Sequence, residues 1–266
     1  LSMIPRSGIW LKKLKVSLGF IELALAFKFL SNADLVEGWG ILKREIFIII
    51  WVAIFLIMSF YLFGSYFGKL KFNYKSYSGW FFLLFSMYLI SGLFESKNVR
   101  LLSGILPPEF YSVYDNKNDC PLGLNCFKDF QSGKDYAIEK DKIILLDFTG
   151  WACANCRRME ENVWSKPAIF KMLDTEFVII SLYVDDRSKL SEQEKFKYLN
   201  KSGNIQYINN VGRRWSLFQQ INFSNASQPY YVAMMPSGKI LTEPIQYVSE
   251  KNFENWLRTS IEESIK

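Results

Sequence analysis

Apolar and polar residues are distributed in different ways along the two parts of this chain. In the first hundred residues the apolar positions come in blocks: Ile46–Phe63 is 18 residues without a charge, and Ser76–Phe94 is 19. Each is close to the ~20 residues a helix needs to cross a bilayer, and both read as membrane spans. If both were core helices of a soluble protein, they would need a far larger core than the flanking sequence supplies. An earlier segment, Val16–Leu30, is apolar but holds Glu22 and Lys28. An acidic side chain near the bilayer centre costs about 2.5–3.5 kcal/mol on insertion scales. We read it as a third span, the alternatives being an interfacial helix or one packed inside a bundle. Two readings of Glu22 stand side by side: a functional intramembrane carboxylate, or a packing contact to a polar residue of a neighbouring helix.

After Gly104-Ile-Leu-Pro107-Pro108 the pattern changes to short apolar runs separated by polar, helix-compatible stretches. Helices are predicted near 131–140, 153–165 and 250–265, a polar helix near 191–201 and a helical turn near 213–220. Strands are predicted over 142–148, 177–184, 230–235 and, after a Pro-Ser-Gly turn, 239–242. Strands interleaved with helices and closed by a hairpin and a helix suit a central mixed sheet with helices on both faces. The predicted organisation is an all-α transmembrane region of three helices over 1–104, a linker over 105–124 and an α/β domain over 125–266.

Charge sharpens this division. Lys and Arg outnumber Asp and Glu by 12 to 6 in residues 1–110, whereas residues 111–266 carry 20 of each, so the formal charge of +6 belongs to the apolar half. Basic residues flanking apolar segments set membrane topology. A neutral second half gives nucleic acid nothing to bind, and no nucleic-acid partner is expected. Arg6, Lys12, Lys13, Lys15, Lys69, Lys71 and Lys75 lie on one side of three spans, against Lys43, Arg44, Lys97 and Arg100 on the other. Seven against four places the N-terminus inside and the C-terminal domain outside. The sequence opens at Leu1 with neither an initiating Met nor a signal-peptide pattern, and we read it as part of a longer protein.

The candidate chemistry lies where the apolar run 142–148 stops, at Trp151-Ala-Cys153-Ala-Asn-Cys156. Residues i and i+3 on the first turn of a helix share one side, about 5–6 Å apart between Cβ atoms, and a disulfide can close there. At a helix N-terminus the unpaired N–H groups favour a thiolate, which makes Cys153 the natural nucleophile and Cys156 the resolving thiol. Two other readings are a zinc site completed by Cys120 and Cys126, and a purely structural disulfide. The chain has no histidine, and C-x5-C is a wide spacing for zinc. So small a loop would also stabilise a fold only weakly. Cys120 and Cys126 themselves are a local disulfide, two free thiols or a second exchanging pair.

The WACANC motif, Asp147 six residues before it, Gln228-Pro229-Tyr-Tyr-Val and Pro236-Ser-Gly-Lys239 together resemble a thioredoxin-like domain. The match is to the C-terminal domain of the DsbD family of membrane thiol:disulfide interchange proteins, and residues 19–34 resemble a membrane segment of the same family. The resemblance implies a thioredoxin-like fold and a membrane-anchored reductase passing electrons by dithiol/disulfide exchange to periplasmic partners, with cytochrome c maturation among their roles. It implies an inner-membrane, multi-pass location and no cofactor or metal. It also places a buried acid, Asp147, under the inner cysteine, and an acid near the site at Glu160. Desolvation at the end of an apolar strand would raise the pKa of Asp147, fitting it to exchange a proton with Cys156; Glu160 would raise the thiol pKa values by like-charge repulsion, or else lie on a solvated helix face. A cis Pro229 is implied opposite the disulfide, with the backbone of Gln228 pairing with an extended substrate. Trp151 is either a recognition surface or core. Arg157 and Arg158 either hold thiolate charge or lie on a solvated face. Residues 1–119 hold no cysteine, so the upstream membrane pair that feeds such a domain must lie elsewhere. The rivals are a membrane-tethered Cu(I)-binding module using Cys153 and Cys156, and a tethered adaptor without turnover.

Overall fold

The computed structural model describes residues 9–66, 69–70, 76–94, 96–114, 120–200 and 203–266. Arg6, Lys71 and Lys75 of the topology count, residues 115–119 of the linker and the end of the helix expected over 191–201 lie outside the described residues. Two units are present: one holds the described residues up to Asn32 together with Gly40–Tyr114, the other Ala33–Trp39 together with the described residues after Tyr114.

The first unit is built on three helices, α1 (Ile9–Glu37), α2 (Arg44–Phe63) and α3 (Tyr77–Phe94), with a short ladder, β1 (Ser65–Tyr66) and β2 (Lys69–Leu70), after α2. Among the described residues, α2 and α3 are the two helices long and apolar enough to cross a membrane; α1 carries Glu22 and Lys28 within its apolar stretch. Aromatic side chains lock α2 to α3: Phe55 stacks on Phe82 and meets Phe85 edge-on, with centroids 5.7 and 4.9 Å apart. Ser59 Oγ donates to Gly79 O at 2.7 Å. Trp51 Nε1 donates to Ala24 O of α1 at 3.0 Å. The expected linker is not uniform. Arg44 N donates to Tyr111 O, and Glu45 accepts from Ser112 Oγ and Val113 N, so residues 105–114 fold back onto the start of α2 instead of running free.

The second unit has a four-stranded sheet in the order β3 (Cys126–Phe127), β5 (Phe177–Tyr183), β4 (Ile143–Thr149), β8 (Tyr230–Met234). Neighbours are parallel except β8, which runs antiparallel to β4. The apolar runs of β4 and β5 lie buried along their whole length, as a strand covered on both faces requires. Because side chains alternate across a sheet, Ile143, Leu145, Ile179 and Tyr231 share one face with Trp164 and with Ile169, Leu173, Phe253 and Leu257 of α6 (Pro167–Glu176) and α8 (Glu250–Ile265). Ile144, Leu146, Phe148, Ile180 and Val232 share the other face with Ala137 of α4 (Phe130–Lys140) and Trp215 of α7 (Val211–Phe223). Odd-numbered residues of β4 therefore face α6 and α8. Asp147 is one of them.

Three predicted elements differ. The stretch expected as a polar helix over 191–201 instead contains β6 (Phe196–Leu199), paired antiparallel with β7 (Ile205–Ile208); the alternation Phe-Lys-Tyr-Leu and the β-favouring Ile-Gln-Tyr-Ile outweigh helix propensity there. The strand expected over 239–242 makes only isolated bridges to β8, at Ile240 and Ile245, since Pro244 between them lacks an N–H to continue the ladder. The helix expected over 153–165 divides into α5 (Ala154–Met159) and a π turn over Glu160–Trp164. Helix α6 was not anticipated, although Pro167 at its first turn and Ile169 with Leu173 at i, i+4 are its signature.

Candidate active site

The site is assembled at the carboxyl end of β4. Thr149 ends the strand, Gly150-Trp151-Ala152 form the turn, and Cys153 caps α5, its Sγ accepting from Cys156 N at 3.2 Å. Gly150 allows a close approach here: a Cβ would lie 3.0 Å from Asp185 Oδ2. That close approach lets the Asp185 carboxylate accept from both Trp151 N (2.8 Å) and Ala152 N (3.0 Å). The indole of Trp151 stacks on Tyr183 with centroids 3.7 Å apart, its Nε1 donates to Asp186 at 3.3 Å, and the Lys128 ammonium stands 5.0 Å from its ring centre. Trp151 is half-buried and held in place, neither core nor a loose surface residue.

Cys153 and Cys156 form a disulfide with Cα atoms 5.3 Å apart, and Cys120 and Cys126 form another at 5.8 Å. Each cysteine thus pairs with its near neighbour, and among the described residues no three Cys, Asp or Glu converge as a metal set. Cys153 is partly exposed, whereas Cys156 is 1% exposed. An incoming sulfur therefore has Cys153 to attack or be attacked by.

The odd face of the sheet gathers the polar groups under the helix that carries Cys156. In register with Asp147 are Ser181 of β5 and Tyr231 of β8. Ser181 Oγ donates to Asp147 Oδ2 at 3.1 Å, while Oδ1 is buried with no hydrogen bond. Burial pushes the Asp147 carboxyl up from 3.8 to about 7, against the pull of Arg157 and the Ser181 hydrogen bond. Glu160, on the π turn, is 4% exposed, and its carboxylate pairs with Arg157 at 2.9 Å. Burial raises it to about 8; Arg157 opposes the rise, and Asp147 and Glu161 add to it. The phenols of Tyr183 and Tyr231 are raised for the same reason, burial first. The solvated-face readings are thus corrected for Glu160 and Arg157, because the inward turn of the helix buries both; Arg158 is exposed. Asp185, Asp186, Thr149 and Tyr183 were not singled out in the sequence. Only the acidic pair directly after a strand signalled any of them.

The Gln228–Pro229 peptide is cis. The pairing of Phe148 with Tyr230 puts Pro229 beside the end of β4, where the Gly150–Cys153 turn departs. The Gln228 side chain turns back into its own loop, donating to Ala226 O at 2.9 Å and Gln219 Oε1 at 3.3 Å. Fully buried Gln219 in turn donates to Ser227 O at 2.9 Å.

A cysteine pair capping a helix at the end of a central strand, with a buried acid on that strand and a cis proline alongside, defines the class: this is a thioredoxin-like domain. Residues 130–261 match the family model described as a thioredoxin-like domain, and this half of the chain belongs to that family. The resemblance to DsbD also holds across the wider sequence. The thiol:disulfide interchange protein DsbD of Campylobacter jejuni, from strain RM1221 and from subsp. jejuni serotype O:2 (strain ATCC 700819 / NCTC 11168), is in each case 25% identical over 196 residues. That covers 72% of this chain and 32% of theirs, so the chain spans about a third of the length of these curated relatives. Among solved structures, a thioredoxin from Thermus thermophilus is similar over 52% of this chain and 87% of its own, at 17% identity and a TM-score of 0.37.

Proposed function

We propose that the chain acts as a membrane-anchored thiol:disulfide reductase that passes electrons from an upstream membrane cysteine pair to periplasmic partner proteins, cytochrome c maturation proteins among them. The single observation that carries this reading is the asymmetry of the pair: Cys153 partly exposed at the cap of α5, Cys156 buried one turn in. In the reducing direction the Cys153 thiolate attacks one sulfur of a partner disulfide, forming a mixed disulfide and expelling the partner's other sulfur as a thiolate. Cys156 then gives up its proton to the Asp147–Glu160 carboxyls and attacks Cys153 Sγ. The partner's second sulfur leaves as a thiolate and the Cys153–Cys156 disulfide is formed, so the partner gains two electrons. Its two thiolates take up one proton returned by the carboxyls and one from water, which replaces the proton Cys153 lost on becoming a thiolate. Glu160, sharing the buried site, raises the thiol pKa values. Trp151, Gln228 and Pro229 form the recognition surface, with the backbone of Gln228 pairing with an extended partner segment.

In the same proposal α1, α2 and α3 of residues 1–104 are spans of the inner membrane, the domain from 125 onward lies in the periplasm, and no cofactor or metal takes part. Exposed apolar side chains on α2 and α3, including Ile49, Ile57, Phe81, Leu84 and Met87, support lipid as the neighbour of these helices. The test uses two variants with a periplasmic disulfide protein. Cys156→Ser should accumulate a mixed disulfide through Cys153, and Cys153→Ser should bind the partner without reducing it. Reduction that survives Cys153→Ser would overturn the proposal.

A further inference from the structure

Arg157 follows Cys156 on α5, yet its side chain is only 3% exposed. Removing a guanidinium from water is costly unless it is paired, and here one of its nitrogens alone reaches three groups. Nη2 pairs with Glu160 Oε1 at 2.9 Å, donates to Thr149 Oγ1 at 3.2 Å and approaches Gly150 O at 3.5 Å. One side chain therefore joins the π turn to the strand end and turn that lead into Cys153. The titratable groups facing this cluster come from every element around it: Asp147 from β4, Tyr183 from β5, Tyr231 from β8, and Glu160 with Glu161 from the π turn.

Counting charge shows what the arginine does there. With one carboxyl ionised, the set Asp147, Glu160 and Arg157 is neutral; ionising the second leaves a buried net negative charge. The two acids share one cation and behave as a coupled pair, holding one proton into the neutral range. Resting on the exchange reading above, we infer that Arg157 is a positioning residue: by tying Glu160 to the Thr149–Gly150 turn, it holds both carboxyls in one shared-charge cluster and so sets the pH at which the cysteine pair exchanges. Arg157 touches neither reacting sulfur in this scheme and acts only through the acids.

The test follows the rate of iodoacetamide alkylation of Cys153 from pH 5 to 10 in the full chain, reduced and held in detergent micelles. An opposite charge nearby is worth about 1–3 pKa units, so Arg157→Met should move the acid-controlled inflection upward by at least about one unit. Arg157→Lys keeps the charge but loses the fork, and should return that inflection to within about half a unit of wild type while exchanging more slowly. Glu160→Gln, which leaves Asp147 alone with Arg157, should move it downward by about one unit. If Arg157→Met does not fold, the downward shift in Glu160→Gln decides, and an unmoved inflection there overturns the inference. A folded Arg157→Met with the wild-type profile and only a lower melting temperature also overturns it, marking Arg157 as structural. Either result leaves the exchange reading intact. A wild-type Cys153 that does not exchange with a disulfide overturns that reading and this inference together.

Discussion

Replacing Asp147 by Asn removes one of two buried carboxyls from the odd face of the sheet, and the consequence is a change in how stability depends on pH. Burial raises the Asp147 carboxyl from 3.8 to about 7. An unfolded chain releases that proton near pH 4, while the folded domain keeps it until about pH 7. Between those values the folded state binds more protons, so stability falls as pH rises. This group's contribution is fully present below pH 4 and lost as pH passes 7. At about 1.36 kcal/mol per unit, a shift of about three units corresponds to about 4 kcal/mol. Asn cannot titrate, so that share of the fall disappears. The new amide, placed where Oδ1 has no partner, adds a cost of about 1–3 kcal/mol that is the same at every pH. Glu160 titrates in both proteins, less strongly in the variant because Asp147 no longer repels it. The assay is urea unfolding of the oxidised 111–266 fragment at pH 4, 6 and 8, followed by circular dichroism. The difference between wild type and Asp147→Asn should shift by about 4 kcal/mol in the variant's favour from pH 4 to pH 8. Parallel stability curves would refute the reasoning, since Asp147 would then ionise as an ordinary carboxylate.

Other predictions concern the surroundings of the cysteine pair. Removing the second disulfide by Cys120→Ala with Cys126→Ala opens a loop of sequence separation 6 and should lower stability by about 2 kcal/mol; exchange by Cys153 should persist, and loss of exchange with the fold intact would give the second pair a redox role. Trp151→Ala should raise KM for a protein partner severalfold while leaving the rate with a small aromatic disulfide within about twofold, as loss of a contact surface would do; equal loss with both would place Trp151 in the chemistry. Gly150→Ala puts a methyl group 3.0 Å from Asp185, and should destabilise the oxidised domain by about 1–3 kcal/mol, read by urea unfolding.

Much of the site was legible because its signals are local. Cys153 and Cys156 announce themselves by spacing, and the continuous apolar runs of β4 and β5 mark strands buried on both faces. Counting by twos from Leu145 also puts Asp147 on the face that the Cys156 helix covers. What stayed hidden depends on distant partners. Nothing in Cys-Arg-Arg separates Arg157 from Arg158, yet one is buried and the other exposed, because only the first turns toward Thr149 and Gly150. The hairpin of β6 and β7 was masked by charges at Glu192, Glu194, Lys195 and Lys197, which outweighed the aromatic alternation between them. Pro107 and Pro108 mark a break in the pattern, whereas the contact of Pro107 O, which accepts from the Arg44 side chain at the start of α2, has no local signal.

The central claim is that the Cys153–Cys156 pair is an electron donor to outward-facing disulfides. Its reduction potential tests this most directly, measured by equilibrating the 111–266 fragment in defined thiol buffers and trapping free thiols by alkylation. A reductase should give about −230 to −270 mV, toward the thioredoxin end of the scale. A value near about −120 mV, that of a strong oxidant, would contradict the claim and reverse the direction of electron flow.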